Sequence, residues 1–152
     1  MTAIQKTKRI GPILIATFIV LGLAASPAMA RNDTLDFSIE EAKSIGPVEK
    51  LLDVPFYMAG QSHPAVAKEL GSGKTNKRTN KFNKSDEHAC SIAFMSAIIQ
   101  LQTRARQLKA DAVVDVTSVT KNMDLESATE YRCNLGTFVA NVALTGKMVK
   151  FK

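Results

Sequence analysis

The chain has 152 residues, and the part that follows an N-terminal leader is too short to divide into two independent hydrophobic cores. The leader holds three of the 20 Lys and Arg residues and none of the 14 Asp and Glu residues, so the rest of the chain carries a net charge of only +3. These values exclude a protein of several domains and argue against nucleic acid as the partner.

Residues 1–30 are typical of an export signal. Basic residues open the segment, an apolar run follows over residues 11–25, and residues 27–30 end in the small side chains that a signal peptidase requires. The alternative is an N-terminal membrane anchor, although the run is short for a span of about 20 residues. We expect cleavage after Ala30 and a soluble periplasmic protein that begins near Arg31. No later apolar stretch is long enough to span a bilayer, and no Cys lies at the new N-terminus to carry a lipid.

An N-terminal arm is predicted over residues 31–52. Within it, Ser38 is placed to cap a short helix, with Glu41 three residues later as in a capping box, and residues 46–47 end that helix as Gly-Pro. Apolar residues alternate over 54–58, which predicts a short strand. The proline within this strand favours a strand start or a sheet edge.

Residues 61–84 have no hydrophobic periodicity and are rich in Gly, Asn, Thr, Ser and Lys, which predicts a long basic loop. Its basic side chains could form a patch for a polyanion or for anionic lipid headgroups; the alternative is a solvated connection that Lys keeps soluble. Phe82 is the only aromatic residue in it, which offers little for base stacking. The candidate anion-binding residues are Lys74, Lys77, Arg78, Lys81 and Lys84.

Residues 71–75, Gly-Ser-Gly-Lys-Thr, resemble the end of a phosphate-binding P-loop. The full motif needs another Gly five residues before Gly73, where this chain has Lys68. It also needs a helix that begins directly after the loop, and none is predicted there. We therefore predict neither a nucleotide site nor a cofactor.

The clearest helix is predicted from about Asp86 to Lys109. Ser85 is placed to cap it, and carboxylates in the first turn oppose the positive end of the helix dipole. Apolar residues recur every three or four positions and form one stripe. This stripe consists of Cys90, Phe94, Ala97, Ile98, Leu101, Ala105 and Leu108.

Two or three strands are predicted after this helix, over residues 112–120, 131–135 and 138–145. A helix laid across such strands buries both apolar faces. We therefore predict a single α+β domain over residues 31–152, with a small antiparallel sheet and one long amphipathic helix packed on one face.

The chain has two cysteines, Cys90 and Cys133. An even number in an oxidising compartment favours a disulfide over a metal site or free thiols. Cys90 lies on the apolar stripe of the predicted helix and Cys133 on the inward face of a predicted strand, so a structural bridge is expected between helix and sheet. The alternative is a pair of buried thiols. Closing this loop removes unfolded-state entropy worth about 4 kcal/mol.

No catalytic or metal-binding set stands out. His63 and His88 are the two histidines, whereas zinc requires three or four ligands. Neither has a nucleophile or an orienting carboxylate in a recognisable sequence context. Asp111, Asp115 and Asp124 could face one another at a sheet edge, but we interpret them as surface charge.

Four stretches resemble a family of small exported bacterial proteins: residues 63–70, 75–90, 98–116 and 127–146. Together they cover nearly all of the chain after the leader. Members of that family are often labelled excinuclease ATPase subunits. Such an activity does not fit a small exported chain with an incomplete P-loop, and the resemblance implies no established activity.

A more distant resemblance is to the YbjQ-like domain and to the outer-membrane lipoprotein sensor of the Rcs pathway. It depends on the helix that leads into residues 109–116, on the strand that contains Cys133, and on the final apolar strand. The resemblance implies a similar fold. Membrane anchoring and stress signalling are not carried over, because this chain has no Cys for lipidation.

Two functional hypotheses follow. The first is a non-enzymatic periplasmic binding or interaction module whose partner is an envelope protein or an anionic surface. The alternative is a small periplasmic hydrolase or nucleic-acid-processing enzyme, which only the basic loop and the family label favour. Convergent His, Asp and Ser side chains would favour the enzyme, and a basic face would favour binding.

Overall fold

The computed structural model describes residues 30–121 and 123–152. Apart from Ala30, the predicted leader lies outside this part of the chain. The described elements are β1 (Asn32–Ser38), α1 (Ile39–Ile45), a 3-10 turn (Val48–Lys50), β2 (Phe56–Met58), β3 (Val66–Asn80), α2 (Asp86–Gln107), β4 (Ala112–Thr120), β5 (Met123–Leu125), β6 (Glu130–Gly136) and β7 (Val139–Phe151). No helix in the described ranges is both long and apolar enough to cross a membrane.

The predicted fold class, a small antiparallel sheet with one long helix, is wrong. The described residues form seven strands in one sheet, accompanied by the helices α1 and α2. The main strand order is β1-β6-β7-β4-β2, with β3 paired to β7 and β5 paired to β4. The sheet is also mixed, because β2 runs parallel to β4. The prediction from Pro55 is confirmed. β2 begins directly after this proline and lies at one end of the main strand order.

The largest correction concerns the loop predicted over residues 61–84. Most of it is the 15-residue strand β3, which pairs antiparallel with β7 from Val66 opposite Phe151 to Asn80 opposite Val139. One face of β3 is exposed, and the other meets α2 through small or polar residues such as Gly73 and Thr75. A strand of this kind does not need the alternating apolar residues that identify half-buried strands.

The predicted N-terminal arm is also integrated into the fold. All seven residues of β1 pair with β6, which the sequence analysis did not expect. The short helix that follows is confirmed as α1. The Ser38 hydroxyl accepts a hydrogen bond from the Glu41 N–H at 3.3 Å, and the Gly46 N–H closes the helix on the Ala42 carbonyl at 2.8 Å.

The main core lies between α2 and one face of the sheet, called here the helix face. The predicted helix is confirmed as α2, and the Ser85 hydroxyl caps it by accepting a hydrogen bond from the His88 N–H at 3.2 Å. Phe94 of α2 stacks on Tyr131 of β6 with ring centroids 4.2 Å apart. The buried side chains of this core include Phe94, Ile98, Leu101, Tyr131, Leu135, Leu144 and Met148.

The disulfide between Cys90 and Cys133 is confirmed. The S–S distance is 2.05 Å and the two Cα atoms are 6.0 Å apart. Both residues are fully buried. The bridge joins the second turn of α2 to the centre of β6, so it connects the helix layer to the sheet layer.

The opposite face of the sheet is covered at one end only. There, Ala112, Val114 and Val149 form a small second core with Tyr57 and Phe151. Towards the other end of β7, where the β6–β7 turn lies, this face carries polar side chains together with Val119, Val139 and Ala143. That uncovered half is the candidate functional site.

Candidate functional site

The uncovered half of the sheet carries a row of polar side chains that crosses four strands. Arg78 of β3 lies opposite Asn141 of β7, Asn141 lies opposite Asn134 of β6, and Asn134 lies opposite Thr34 of β1. Directly opposed residues project from the same face of a sheet. These four side chains therefore form one continuous line.

Neighbouring residues widen this line into a shallow depression of about 450 Å³. Most of its side chains are exposed or half-buried, whereas Thr120 and Ala143 are buried. We call this surface the open face, and its polar residues are Asn32, Asn76, Arg78, Thr120, Lys121, Asn134 and Asn141.

Hydrogen bonds between side chains hold the amides of the open face in place. The Asn141 amide nitrogen donates to the Asn76 carbonyl oxygen. The Thr34 hydroxyl donates to the Asn134 side-chain oxygen at 3.2 Å. Each Asn offers two donors and one acceptor oxygen. These bonds use only part of that capacity, so the amides can still bind a ligand.

The open face also carries positive charge that no acidic residue neutralises directly. Arg78 is exposed and forms no salt bridge within the described residues. The Lys121 ammonium donates to the neutral side-chain oxygen of Asn32. A guanidinium and an ammonium surrounded by amides suit a ligand that combines negative charge with hydrogen-bonding groups.

The five candidate anion-binding residues do not share one surface. Lys74 and Arg78 project from the same side of β3 as the open face, whereas Lys77 opposes the core residue Val142 on the helix face. Lys81 and Lys84, which follow β3, each form a polar contact with a nearby side chain. Lys81 contacts Asp86 at 2.5 Å, and Lys84 donates to the Asn80 side chain at 3.0 Å.

The ion pair at the start of α2 is a local structural contact. The Asp86 carboxylate binds the Lys81 ammonium at 2.5 Å and the Arg31 guanidinium at 2.7 Å. The hydrogen bond from Lys81 is the main reason that the pKa of Asp86 lies below its usual value. Lys81 is therefore neutralised by a carboxylate within the protein, whereas Arg78 forms no salt bridge among the described residues.

The segment that resembles a P-loop lies inside β3. Gly73 stands opposite Gly146 of β7 on the helix face, where a side chain would meet Leu101 of α2. The Thr75 hydroxyl donates to the Gln100 side chain of α2 at 2.7 Å. The glycine thus allows close packing of helix and sheet, which explains its presence without a phosphate ligand.

The two histidines lie in different parts of the molecule, away from the open face. The His63 ring stacks on Phe151 at 6.2 Å between centroids, at the covered end of the sheet. His88 is exposed in the first turn of α2. Among the described residues, no three His, Cys, Asp or Glu side chains lie together as metal ligands would.

Two of the three candidate aspartates pair with lysines of β7. Asp111 binds Lys150 at 2.5 Å and the Phe151 N–H at 3.0 Å, and the bond from Lys150 is the main cause of its lowered pKa. Asp115 binds Lys147 at 3.0 Å, which raises the pKa of that lysine. These contacts tie β4 to β7.

Most of the open face was not predicted from the sequence. Asn134 and Asn141 occupy the outward positions of β6 and β7, between buried residues on either side. That alternation indicated that both point away from the core, and the structure leaves both half-buried. Their alignment with Arg78 and Thr34 depends on strand register, for which the sequence offers no local signal.

None of the family models, curated proteins or solved structures compared with the chain matches it. The roles of the open-face residues are therefore inferred from their own geometry and chemistry.

Proposed function

We propose that the protein is a non-enzymatic binding module of the periplasm and that its open face binds an anionic partner. The supporting observation is the in-register row that runs from Arg78 through Asn141 and Asn134 to Thr34. Lys121 adds a second cation at the edge of this row. The positive side chains of the open face would attract an anionic partner, and its amide side chains would orient that partner through hydrogen bonds.

The rigidity of the surface favours binding. The row is built on paired strands, and hydrogen bonds between neighbouring side chains orient two of its amides before a ligand arrives. Pre-ordered groups lose less conformational entropy on binding than flexible ones do. An extended anionic chain that carries hydroxyl or amide groups would match a shallow face of this kind.

The compartment is proposed on two grounds. Residues 1–30 have the pattern of an export signal. The Cys90–Cys133 disulfide is typical of proteins that fold in an oxidising environment.

The test is binding to an immobilised sulfated polysaccharide by the double variant Arg78→Ser, Lys121→Ser. We expect the wild type to bind, with an affinity that falls between about 50 and 200 mM salt because exposed charges are screened. The double variant should lose about tenfold or more in affinity. Its melting temperature should not change, because both side chains are exposed.

The matched control is Lys50→Ser, Lys152→Ser, which removes the same net charge from exposed positions outside the open face. It should bind like the wild type. An equal loss in both double variants would show that net charge alone causes retention, and failure of the wild type to bind would contradict the proposal.

A further inference from the structure

Two phenylalanine side chains are almost fully exposed at one end of the molecule. Phe82 is 79% exposed and Phe138 is 80% exposed. Phe82 follows β3 and Phe138 lies in the β6–β7 turn, and the Lys81 N–H donates to the Phe138 carbonyl at 2.9 Å. We call Phe82, Phe138 and the 43%-exposed Val139 the aromatic tip.

The aromatic tip adds nothing to the core. Neither Phe82 nor Phe138 belongs to either buried cluster or to an aromatic pair. An exposed aromatic ring remains in contact with water, and apolar side chains grouped on a surface mark sites of interaction. The grouping of two such rings on adjacent segments therefore points to a binding partner.

The surroundings of the aromatic tip carry net positive charge. Arg31 and Lys81 are balanced by Asp33 and Asp86, with which they form salt bridges. The remaining charged residues near this end are three bases, Lys84, Arg78 and Lys121, none of which forms a salt bridge within the described ranges, and one acid, Glu87. Lys84 contacts one of the two phenylalanines directly, since its ammonium donates to the Phe82 backbone carbonyl at 3.4 Å.

The described chain also begins at this end. The Arg31 N–H donates to the Thr137 hydroxyl at 3.2 Å, and Thr137 immediately precedes Phe138. The apolar sequence of residues 11–25 comes shortly before Arg31. Such a sequence enters a bilayer whether it acts as a signal or as an anchor. Arg31, the first residue after the predicted cleavage site, therefore lies beside the aromatic tip.

We propose that the aromatic tip docks this domain on an anionic bilayer surface. Phe82 and Phe138 enter the boundary between headgroups and acyl chains, where aromatic side chains are favoured. Lys84 and its basic neighbours contact the phosphate headgroups. The aromatic tip borders the open face, because Val139 also lines that depression and Arg78 and Lys121 belong to it. Docking of the two rings does not depend on the proposed binding of an anionic ligand there.

The absence of Trp from the sequence permits a direct test. Phe138→Trp places a single fluorescent reporter in the aromatic tip. The control is Val66→Trp, because Val66 is exposed at the opposite end of β3, roughly 45 Å away along the strand. The protein is expressed as the full chain and used in the form that the cell produces, and all variants are compared with the same N-terminus.

Vesicles of phosphatidylglycerol and phosphatidylethanolamine should shift the emission of Phe138→Trp to shorter wavelength. Vesicles of phosphatidylcholine should cause a smaller shift, and Val66→Trp should show none. The absence of a shift at Phe138→Trp, or an equal shift at both positions, would overturn the proposal. A shift that grows with protein concentration without vesicles would also overturn it, because a second copy of the chain would then cover the tip.

A second measurement uses co-sedimentation with the same anionic vesicles. The variant Phe82→Ser, Phe138→Ser should reduce partitioning by about tenfold or more, since both apolar anchors are removed. Val66→Ser should partition like the wild type. The two exposed substitutions should leave the melting temperature unchanged, and a folded double variant that still sediments like the wild type would refute bilayer docking.

Discussion

At the scale of single residues, Tyr131 is the largest side chain that is fully buried among the described residues. It is fully buried in β6 and lies between Phe94, at 4.2 Å, and Phe37, at 6.0 Å between ring centroids. Burial raises the pKa of its phenol from 10.0 to about 12, although a hydrogen bond with Ser91 opposes part of this shift. The ring can therefore ionise only at a substantial cost to the folded state.

This pKa predicts a specific loss of stability in alkali. The folded state holds the phenolic proton more tightly than the unfolded state, so the stabilisation is complete below about pH 10 and is lost as the pH rises towards 12. Between about pH 8 and pH 11, the free energy of unfolding of the wild type should fall by roughly 1 kcal/mol more than that of Tyr131→Phe. Urea unfolding at the two pH values measures this difference.

Tyr57→Phe is the matched control for this experiment, because it removes another tyrosine hydroxyl and keeps Tyr131. It should retain the alkaline loss of the wild type. If the free energy of unfolding of Tyr131→Phe falls as much as that of the wild type, the buried phenol does not cause the loss of stability in alkali.

At the scale of elements, the contact between α2 and the sheet depends on two opposed glycines. Gly73 of β3 and Gly146 of β7 face each other beneath Leu101. A Cβ atom on Gly146 would lie 2.8 Å from Val113 Cγ1, and one on Gly73 would lie 2.9 Å from Met148 Cε. Both distances are shorter than a normal van der Waals contact. Leu101 of α2 would lie 3.3 Å from a Cβ on Gly73 and 3.6 Å from one on Gly146, so the helix packs directly over these two positions.

The two glycines should respond differently to substitution by alanine. Gly146→Ala should destabilise the fold by about 1 to 3 kcal/mol, because the buried, β-branched Val113 has few ways to move. Gly73→Ala should cost less, because the nearest atom is the flexible end of Met148. Chemical denaturation measures both losses. Ser72→Ala, an exposed neighbour in β3, should change stability by less than about 0.5 kcal/mol, and a Gly146→Ala protein as stable as this control would contradict the packing argument.

At the scale of the whole molecule, the disulfide connects the helix layer to the sheet layer across 43 residues of sequence. The closed segment contains most of α2 and all of β4 and β5. A crosslink around a loop of this size restricts the unfolded chain, which stabilises the folded state by about 4 kcal/mol in the chain-entropy estimate.

Removal of the bridge should therefore lower the stability of the entire domain. Cys90→Ala or Cys133→Ala should reduce the free energy of unfolding by about 2 to 5 kcal/mol. The double variant should cost little more than either single one, because both substitutions break the same link. Urea unfolding measures the loss. Titration of two free thiols in the native, unreduced protein would disprove the bridge.

Local signals in the sequence were sufficient for several parts of the structure. The helix α2 and its cap at Ser85 follow from a three-to-four-residue apolar period and a side chain that satisfies free backbone amides. The bounds of β4 agree with the predicted strand over residues 112–120. The Cys90–Cys133 pairing followed because each cysteine lies on the buried side of its own element.

Only the tertiary structure decided the size of the sheet and the location of both proposed surfaces. β1 and β3 are strands because their backbone groups pair with β6 and β7, which lie far away in the sequence. The open face requires Thr34 and Asn134 to meet, and the aromatic tip requires Phe82 to lie beside Phe138. Hydrophobic period and capping are properties of neighbouring residues. Strand pairing, by contrast, is determined by the partner strand, so polar strands are recognisable only once the fold brings their partners together.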